Sequence, residues 1–356
     1  MWFSVLHDRY RLALCVVLHV ASVVASPLEQ RASLAPVLTT IRDTPELSVF
    51  YSLFSSTGGD SGIPGPALEE RFNDPNNDLS FTVFAPTNDA FANVSEATFA
   101  ALTAQTSYAL LHSLLINHIA PGNLDPSDLE NGIRAIGGFD ISFVAGDDIR
   151  TNAGVSNVAD DIAGQARLVK GEDGRPTRIA ASNGVVYLID HVLDGMYTYF
   201  GSDVGSDGDT LPDVENRPGT MLDVLKGTPE LSTLYDLWQD IDPDFLDRLS
   251  LSPEDSSMAR NDVYLAPSNA AFDDLPEEAL HKVRQPSNAE LSEFLLGFGL
   301  GEFSEGEAVV KSVKSGFEIS IHGDRANNAR VEGRICAENG CVWVLRRWLD
   351  PLFDIF

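Results

Sequence analysis

One short segment occurs twice in this chain of 356 residues, and the repetition constrains the fold more than any other feature. The first copy runs from Phe81 to Phe91, and a looser copy runs from Asn261 to Phe272. Each contains a short apolar segment, Phe81 to Ala85 or Val263 to Ala266, that is rich in aromatic and β-branched residues and typical of a strand. Pro86 or Pro267 then ends the strand, because proline has no N–H to donate. Two such segments predict two copies of one fold.

An asparagine follows each of these prolines, after a residue that bears a hydroxyl group. The two pairs are Thr87-Asn88 and Ser268-Asn269. Short side chains with an oxygen atom are favoured at helix N-termini, where they accept hydrogen bonds from N–H groups without a partner in the helix. We therefore expect each pair to cap a helix that begins at this point.

A second motif, also present twice, contains an Asn-Gly pair between two strand-forming segments. Asn183-Gly184 lies within residues 179–193, and Asn339-Gly340 lies within residues 335–349. Asn-Gly is a strong hairpin signal because both residues tolerate a positive φ. The motif predicts that a β-hairpin turns at each pair.

A third repeated segment, Thr-Pro-Glu-Leu-Ser, opens the copies at Thr44 and Thr228. These three motifs, in the same order in both copies, resemble the signatures of the fasciclin (FAS1) domain. The resemblance covers nearly all of the chain after the leader, residues 1–25. It implies an α+β fold with two FAS1-like domains, each a β-sandwich or wedge with helices packed against one side. The residue pattern agrees, since helical periodicity precedes the short strands.

The chain divides into four predicted parts. They are a signal peptide at 1–25, a first domain at 33–200, an acidic linker at 201–218 and a second, abbreviated domain at 219–356. The leader has arginines, a short apolar core and small residues at its end, which is typical of export. The core is too short for a comfortable transmembrane helix, so we expect no stable membrane anchor. Calcium binding by the linker is a weaker alternative, because its acids do not follow the EF-hand order.

Within the first domain the pattern predicts a loop followed by short strands. Residues 55–78 are rich in glycine, proline and asparagine, which favours a loop. Residues 141–144, 166–169 and 178–181 are short apolar segments bounded by turn signals, which favours strands.

Three residues carry predicted covalent modifications. Asn93 stands in an Asn-Val-Ser sequon, the acceptor sequence for N-glycosylation. Cys336 and Cys341 flank the second Asn-Gly turn, and in an oxidising compartment we expect a disulfide between them. A metal site is the alternative, but two thiols without neighbouring ligands are too few.

His118 is the one histidine whose setting suggests a role. It follows an apolar helical stripe, and a histidine near this place is a familiar feature of fasciclin domains. The alternatives are a metal ligand, a base or a hydrogen-bonded core residue, and we favour the last because no acid or cysteine is near in sequence. Helical spacing places Phe298 at the equivalent position of the second copy, which favours a packing role.

The composition disfavours several classes of function. A formal net charge of -29 argues against nucleic acids and anionic membrane surfaces as partners. No hydrolase elbow, phosphate-binding loop, dinucleotide fingerprint or zinc motif occurs in the sequence. We therefore expect no catalytic residue, no cofactor and no metal.

The resemblance implies a secreted, glycosylated and non-catalytic protein that binds other secreted or cell-surface proteins. An alternative is an auxiliary subunit, not itself an oxidant, of a secreted laccase-type complex that couples aromatic polyketides in fungal pigment or toxin biosynthesis. Its partner would then be a multicopper oxidase. A vacuolar or endomembrane location is the alternative to secretion.

Overall fold

The computed structural model describes most of the chain after the leader. The described residues are 34–57, 68–74, 79–92, 94–125, 128, 133–137, 140–144, 148–152, 166–193, 210–252, 262–275, 277–313 and 315–351. From Ala35 onward they belong to one unit. The predicted signal peptide and Asn93 lie outside the described residues.

The first copy places helices around a short central strand. Its helices are Val37–Arg42 (α1), Ser48–Ser55 (α2), Leu68–Asn73 (α3), Glu96–Leu102 (α4) and Tyr108–Ile116 (α5). Its strands are Phe81–Pro86 (β1), Ile119–Pro121 (β2), Ile133–Arg134 (β3), Asp140–Val144 (β4), Asp148–Asn152 (β5), Ala166–Arg167 (β6), Arg178–Ala181 (β7) and Gly184–Ile189 (β8). Short 3-10 turns at 45–47, 88–91 and 105–107 join the helices.

The second copy repeats this order. Its helices are Met221–Gly227 (α6), Ser232–Ile241 (α7), Pro243–Leu249 (α8), Asn269–Asp273 (α9), Glu277–Val283 (α10) and Ala289–Gly297 (α11). Its strands are Val214–Asn216 (β9), Asp262–Pro267 (β10), Leu300–Ser304 (β11), Val309–Ser312 (β12), Glu318–His322 (β13), Arg325–Ala326 (β14), Ala329–Ala337 (β15) and Gly340–Leu345 (β16).

The central strands of the two copies pair in the same way. β1 lies between antiparallel β2 and parallel β8, and β10 lies between antiparallel β11 and parallel β16. All six residues of β1, β8 and β10 are buried, as expected for strands covered on both faces. The order β2-β1-β8-β7 forms one sheet and β3-β4-β5-β6 another, whereas the second copy has a single eight-stranded sheet. The α+β architecture with two copies is therefore as the sequence predicts.

Three local predictions differ from the structure. Helix α3 lies inside the predicted loop at 55–78, because Leu68 and Phe72, one turn apart, are both buried. The strand predicted at 166–169 pairs over two residues only and continues as a bridge from Leu168 to Ile189. Residues 214–216 of the predicted linker form β9, which pairs in parallel with β15.

Candidate functional site

Asn88 and Asn269, which follow the prolines of the two repeated segments, each bind a helix that lies earlier in the chain. Asn88 Oδ1 accepts a hydrogen bond from the Val49 N–H at 3.0 Å. Asn269 Oδ1 accepts one from the Thr233 N–H, also at 3.0 Å. Val49 and Thr233 are the second residues of α2 and α7, so these side chains satisfy N–H groups that have no partner within the helix.

The prediction that Thr87-Asn88 and Ser268-Asn269 cap the helices that begin directly after them is wrong. The Nδ2 atoms of the two asparagines donate to the carbonyl oxygens of Pro45 and Pro229, at 3.0 Å in both copies, so the amides are engaged with the earlier helix. Thr87 and Ser268 occupy the N-cap positions of the following helix but make no capping bond through their side chains.

The asparagine of each Asn-Gly pair joins the first helix of its copy to a later one. Asn183 Oδ1 accepts from the Val37 N–H at 2.8 Å, and its Nδ2 donates to the Phe72 carbonyl at 2.7 Å. Asn339 Oδ1 accepts from the Met221 N–H at 2.7 Å. Val37 and Met221 are the first residues of α1 and α6, so both hairpins cap a helix N-terminus.

Asn339 makes the larger set of bonds of the two. Its Nδ2 donates to the carbonyl oxygens of Leu249 and Leu251, at 2.9 and 2.8 Å. Leu249 is the last residue of α8, so one buried amide connects the start of α6 to the end of α8. The second copy therefore depends on this side chain for three hydrogen bonds.

The glycine of each Asn-Gly pair begins a strand, and the turn lies one residue earlier than predicted. In the first hairpin Ala181 pairs with Gly184, so Ser182 and Asn183 form the turn. Gly184 has φ +153° and Gly340 has φ +145°, a conformation that favours glycine. A Cβ on Gly184 would collide with the backbone of Phe81, because β8 approaches β1 closely there.

The two prolines are the last residues of their strands, as the sequence predicts. Pro86 is paired with Ile189 and Pro267 with Leu345. Although each proline lacks an N–H, the residue after it continues the ladder. Thr87 N–H donates to the Ile189 carbonyl at 3.0 Å, and Ser268 N–H donates to the Leu345 carbonyl at 2.9 Å. The prolines thus end the strands without opening the central pair.

His118 is fully buried and its two ring nitrogens are both engaged. Nδ1 lies 2.9 Å from the Leu114 carbonyl oxygen, and Nε2 accepts a hydrogen bond from the Leu193 N–H at 2.8 Å. This arrangement fixes the neutral tautomer with its proton on Nδ1. Burial lowers the pKa of His118 to about 4. The ring also packs against Phe50, with centroids 5.3 Å apart. The residue connects the end of α5 to the chain after β8, which is a structural task.

The second copy fills the histidine's place differently from the prediction. Phe84 N–H donates to the His118 carbonyl, and Leu265 N–H donates to the Gly299 carbonyl, so Gly299 and not Phe298 is the equivalent residue. Helical spacing was misleading here because both helices end two residues before this point. The carbonyl oxygen equivalent to that of Leu114 belongs to Leu295, and in the second copy Trp348 Nε1 is directed to it at 3.4 Å. A second buried contact follows at the next residue: Trp238 Nε1 donates to Tyr264 Oη at 2.8 Å, and that hydroxyl donates to the Leu296 carbonyl.

We expect the stability of the protein to fall as the pH is lowered through the range in which unfolded histidine titrates. The folded pKa of His118 is about 4, whereas an unfolded histidine has about 6.5, so the unfolded state binds the proton first. The contribution is complete above about pH 6.5 and falls by up to about 3 kcal/mol toward pH 4. Denaturant unfolding at several pH values measures this loss.

His118→Gln is the matched variant, since an amide also offers a donor and an acceptor but does not titrate in this range. The variant should show a smaller loss of stability than the wild type on acidification. Equal losses in the two proteins would show that His118 does not carry the effect.

Cys336 and Cys341 are joined by a disulfide across the hairpin of β15 and β16, in which they are directly paired. The sequon of Asn93 ends at Ser95, whose hydroxyl caps α4 by accepting a hydrogen bond from the Thr98 N–H at 3.1 Å.

Asp190 and His191 lie directly after the end of β8. Their side chains meet, with His191 Nδ1 2.9 Å from Asp190 Oδ1. The same carboxylate oxygen accepts a hydrogen bond from the Arg167 N–H. The imidazole is 59% exposed, and the aspartate anchors the start of β6. The pair therefore serves the fold.

Neither a metal cluster nor a long apolar helix is found in the described part of the chain. Among those residues no group of three or more histidine, cysteine, aspartate or glutamate side chains could hold a metal ion. No single described helix has the length and apolar character to cross a membrane, although the bent pair Glu96–Leu102 and Gln105–Ile116 meets the criteria of length and composition.

Comparisons with known proteins agree with the motifs. The Fasciclin domain family model matches residues 45–195. The chain is 31% identical over 159 residues to the cell surface glycolipoprotein MPB83 of Mycobacterium bovis, an alignment that covers 44% of this chain and 60% of that protein. It is 30% identical over 115 residues to protein sll1483 of Synechocystis, covering 32% of this chain and 54% of that protein. The chain thus spans less than two thirds of the length of these relatives.

A solved structure of two domains aligns with most of the chain at low similarity. It is a FAS1 domain pair from the insect cell adhesion molecule fasciclin I, at 18% identity and a TM-score of 0.27, with coverage of 87% of this chain and 99% of that one. The family model and these relatives each match less than half of the chain. Within residues 45–195 the chain is similar to the Fasciclin domain family.

Proposed function

We propose that this chain is a secreted, non-catalytic binding protein whose two fasciclin-type copies attach to other secreted or cell-surface proteins. The observation that carries the proposal is the use of the signature residues. Here the term signature residues means Pro86, Asn88, His118, Asn183, Gly184 and the second-copy residues Pro267, Asn269, Asn339 and Gly340. Each asparagine caps a helix, each glycine allows two strands to approach, and the histidine is buried and neutral.

The polar signature residues therefore stabilise the fold. What remains for function is the outer surface, and a rigid scaffold that presents surface loops is a common basis for binding. The name of one relative is compatible with this proposal, because MPB83 is described as a cell surface glycolipoprotein. A glycan at Asn93 would be compatible with such a surface role.

Attachment of the producing cells, with and without the gene, tests the proposal. Deletion should lower attachment, and purified full-length protein added to the medium should restore it. Because the chain carries a formal charge of -29, an unrelated secreted protein of similar net charge is the control for nonspecific attraction. Chemical cross-linking in the medium, followed by mass spectrometry, identifies the partner.

Two results would contradict the proposal. One is turnover of a substrate by the purified chain with no partner present. The other is normal attachment of the deletion strain together with altered pigment, which would favour the auxiliary role in an oxidase complex.

A further inference from the structure

A cavity of about 390 Å³ lies between a helix of the first copy and a helix of the second. Tyr108, His112 and Ile116 of α5 line one side, and Leu291 and Leu295 of α11 line the other. Neither copy forms this cavity alone. Its volume falls in the lower part of the range that is typical of sites for small molecules, about 300–1,000 Å³.

The walls of the cavity are suited to a planar apolar group. Besides the aliphatic side chains above, the lining includes the rings of Tyr108 and Trp348. The Tyr108 ring lies against His112, with centroids 5.7 Å apart. Trp348 is almost completely buried, and its Nε1 is directed to the Leu295 carbonyl at 3.4 Å, so its position is fixed. Aromatic side chains of this kind favour stacked or edge-on contacts with another ring.

The polar groups of the lining include two that accept hydrogen bonds. Burial is the main cause that lowers the pKa of His112, so at neutral pH the ring is uncharged and has one nitrogen free of a proton. Glu290 also lines the cavity. Burial raises the pKa of Tyr108, and the nearby Glu290 raises it further. Lys282, the lining cation, has an interaction of its own.

A further acceptor lies directly behind the wall. Asn117 is 1% exposed, and its Oδ1 has no hydrogen-bond partner among the residues that the structure describes. It packs on Gly137, a lining residue, in the space that a Cβ would occupy. A buried hydrogen-bond acceptor without a donor lowers the stability of the folded protein. A ligand that brought a donor close to Asn117 Oδ1 would recover part of this loss.

We propose that this cavity binds a neutral aromatic small molecule that carries a hydroxyl group. The ring would lie between Trp348 and Tyr108, and the hydroxyl would donate to the unprotonated nitrogen of His112. An anionic ligand of the same size is disfavoured, because the Glu290 carboxylate would repel it. This inference is independent of attachment to other proteins and can fail without it.

Titration of the full-length protein with 2-naphthol, followed by fluorescence and calorimetry, tests the proposal. 2-Naphthol is neutral at neutral pH and has a hydroxyl on a planar ring, whereas naphthalene-2-carboxylate has a similar size and a negative charge. We expect saturable binding of 2-naphthol at one site, with binding of the carboxylate at least about tenfold weaker.

Three variants locate the site. Leu291→Trp should fill the cavity and abolish binding, and Val313→Trp, at a residue that is 64% exposed and outside the lining, should leave it unchanged. His112→Phe keeps an aromatic wall but removes an acceptor, so affinity should fall about tenfold. Saturation of wild type and Leu291→Trp alike would overturn the proposal, as would no saturable binding to the wild type. If Leu291→Trp does not fold, unchanged affinity in His112→Phe would overturn it.

Discussion

Replacement of Asn339 by alanine is expected to lower the free energy of unfolding by about 4 kcal/mol. The change removes three hydrogen bonds from a side chain that is 1% exposed. It leaves the Met221 N–H and the carbonyl oxygens of Leu249 and Leu251 without these partners, and each buried group left unpaired costs about 1–3 kcal/mol. Equilibrium unfolding in urea measures the loss, with the second copy as the less stable part.

Asn216→Ala is the matched control, because this asparagine is exposed on the edge strand β9. The control should change stability by less than about 0.5 kcal/mol. A loss in Asn339→Ala that is no larger than the loss in the control would show that the amide does not hold α6 and α8 together.

Gly184→Ala is expected to prevent the first copy from folding. The added Cβ would meet the carbonyl oxygen, carbonyl carbon and nitrogen of Phe81, none of which can move without shifting β1. Because β1 and β8 are the central pair, we expect a loss of more than about 4 kcal/mol, in the range reserved for severe changes. Circular dichroism and expression in secreted form measure the outcome.

Gly340→Ala and Gly227→Ala give the scale for this result. At Gly340 the nearest atoms are the Asp262 carbonyl oxygen at 2.7 Å and the flexible Met221 side chain, so a smaller loss is expected. At Gly227 no atom lies within 4 Å of a Cβ, and alanine should be tolerated. If Gly184→Ala were as stable as Gly227→Ala, the close approach of the two strands would be wrong.

The repeated motifs predict the frame of the fold because they combine strong local signals. A β-branched strand followed by Pro86 or Pro267 places both central strands correctly, and the Asn-Gly pairs predict both hairpins to within one residue. These features depend on neighbouring residues, and a linear sequence shows neighbours directly.

The roles of the asparagines could not be read in this way, because their partners are distant in sequence. Asn88 binds a residue 39 positions earlier, and Asn183 binds one 146 positions earlier. Likewise, helical spacing assigned Phe298 to the place of His118, whereas the strand register after the helix assigns Gly299. The one signal in the sequence was that an asparagine occurs at equivalent positions of both copies. It indicates that the asparagines matter for the fold, but it does not identify their hydrogen-bond partners.

The duplication also separates what the two copies share from what they do not. The shared hydrogen bonds belong to the helix N-termini and the central strands, whereas the carbonyl that contacts the buried His118 in the first copy faces Trp348 in the second. The signature motifs therefore predict the arrangement of helices and central strands, and they do not predict what the protein binds. The cavity between α5 and α11 depends on residues that are outside the signatures.

The central claim is that the signature asparagines are structural caps that act in the same way in both copies. Amide hydrogen exchange tests this at four N–H groups in the first turns of helices, those of Val37, Val49, Met221 and Thr233, which would otherwise lack a partner. The account predicts slow exchange at all four, lost at Val37 in Asn183→Ala and at Met221 in Asn339→Ala. Exchange of the wild-type Val37 and Met221 amides at the rate of exposed groups would contradict it.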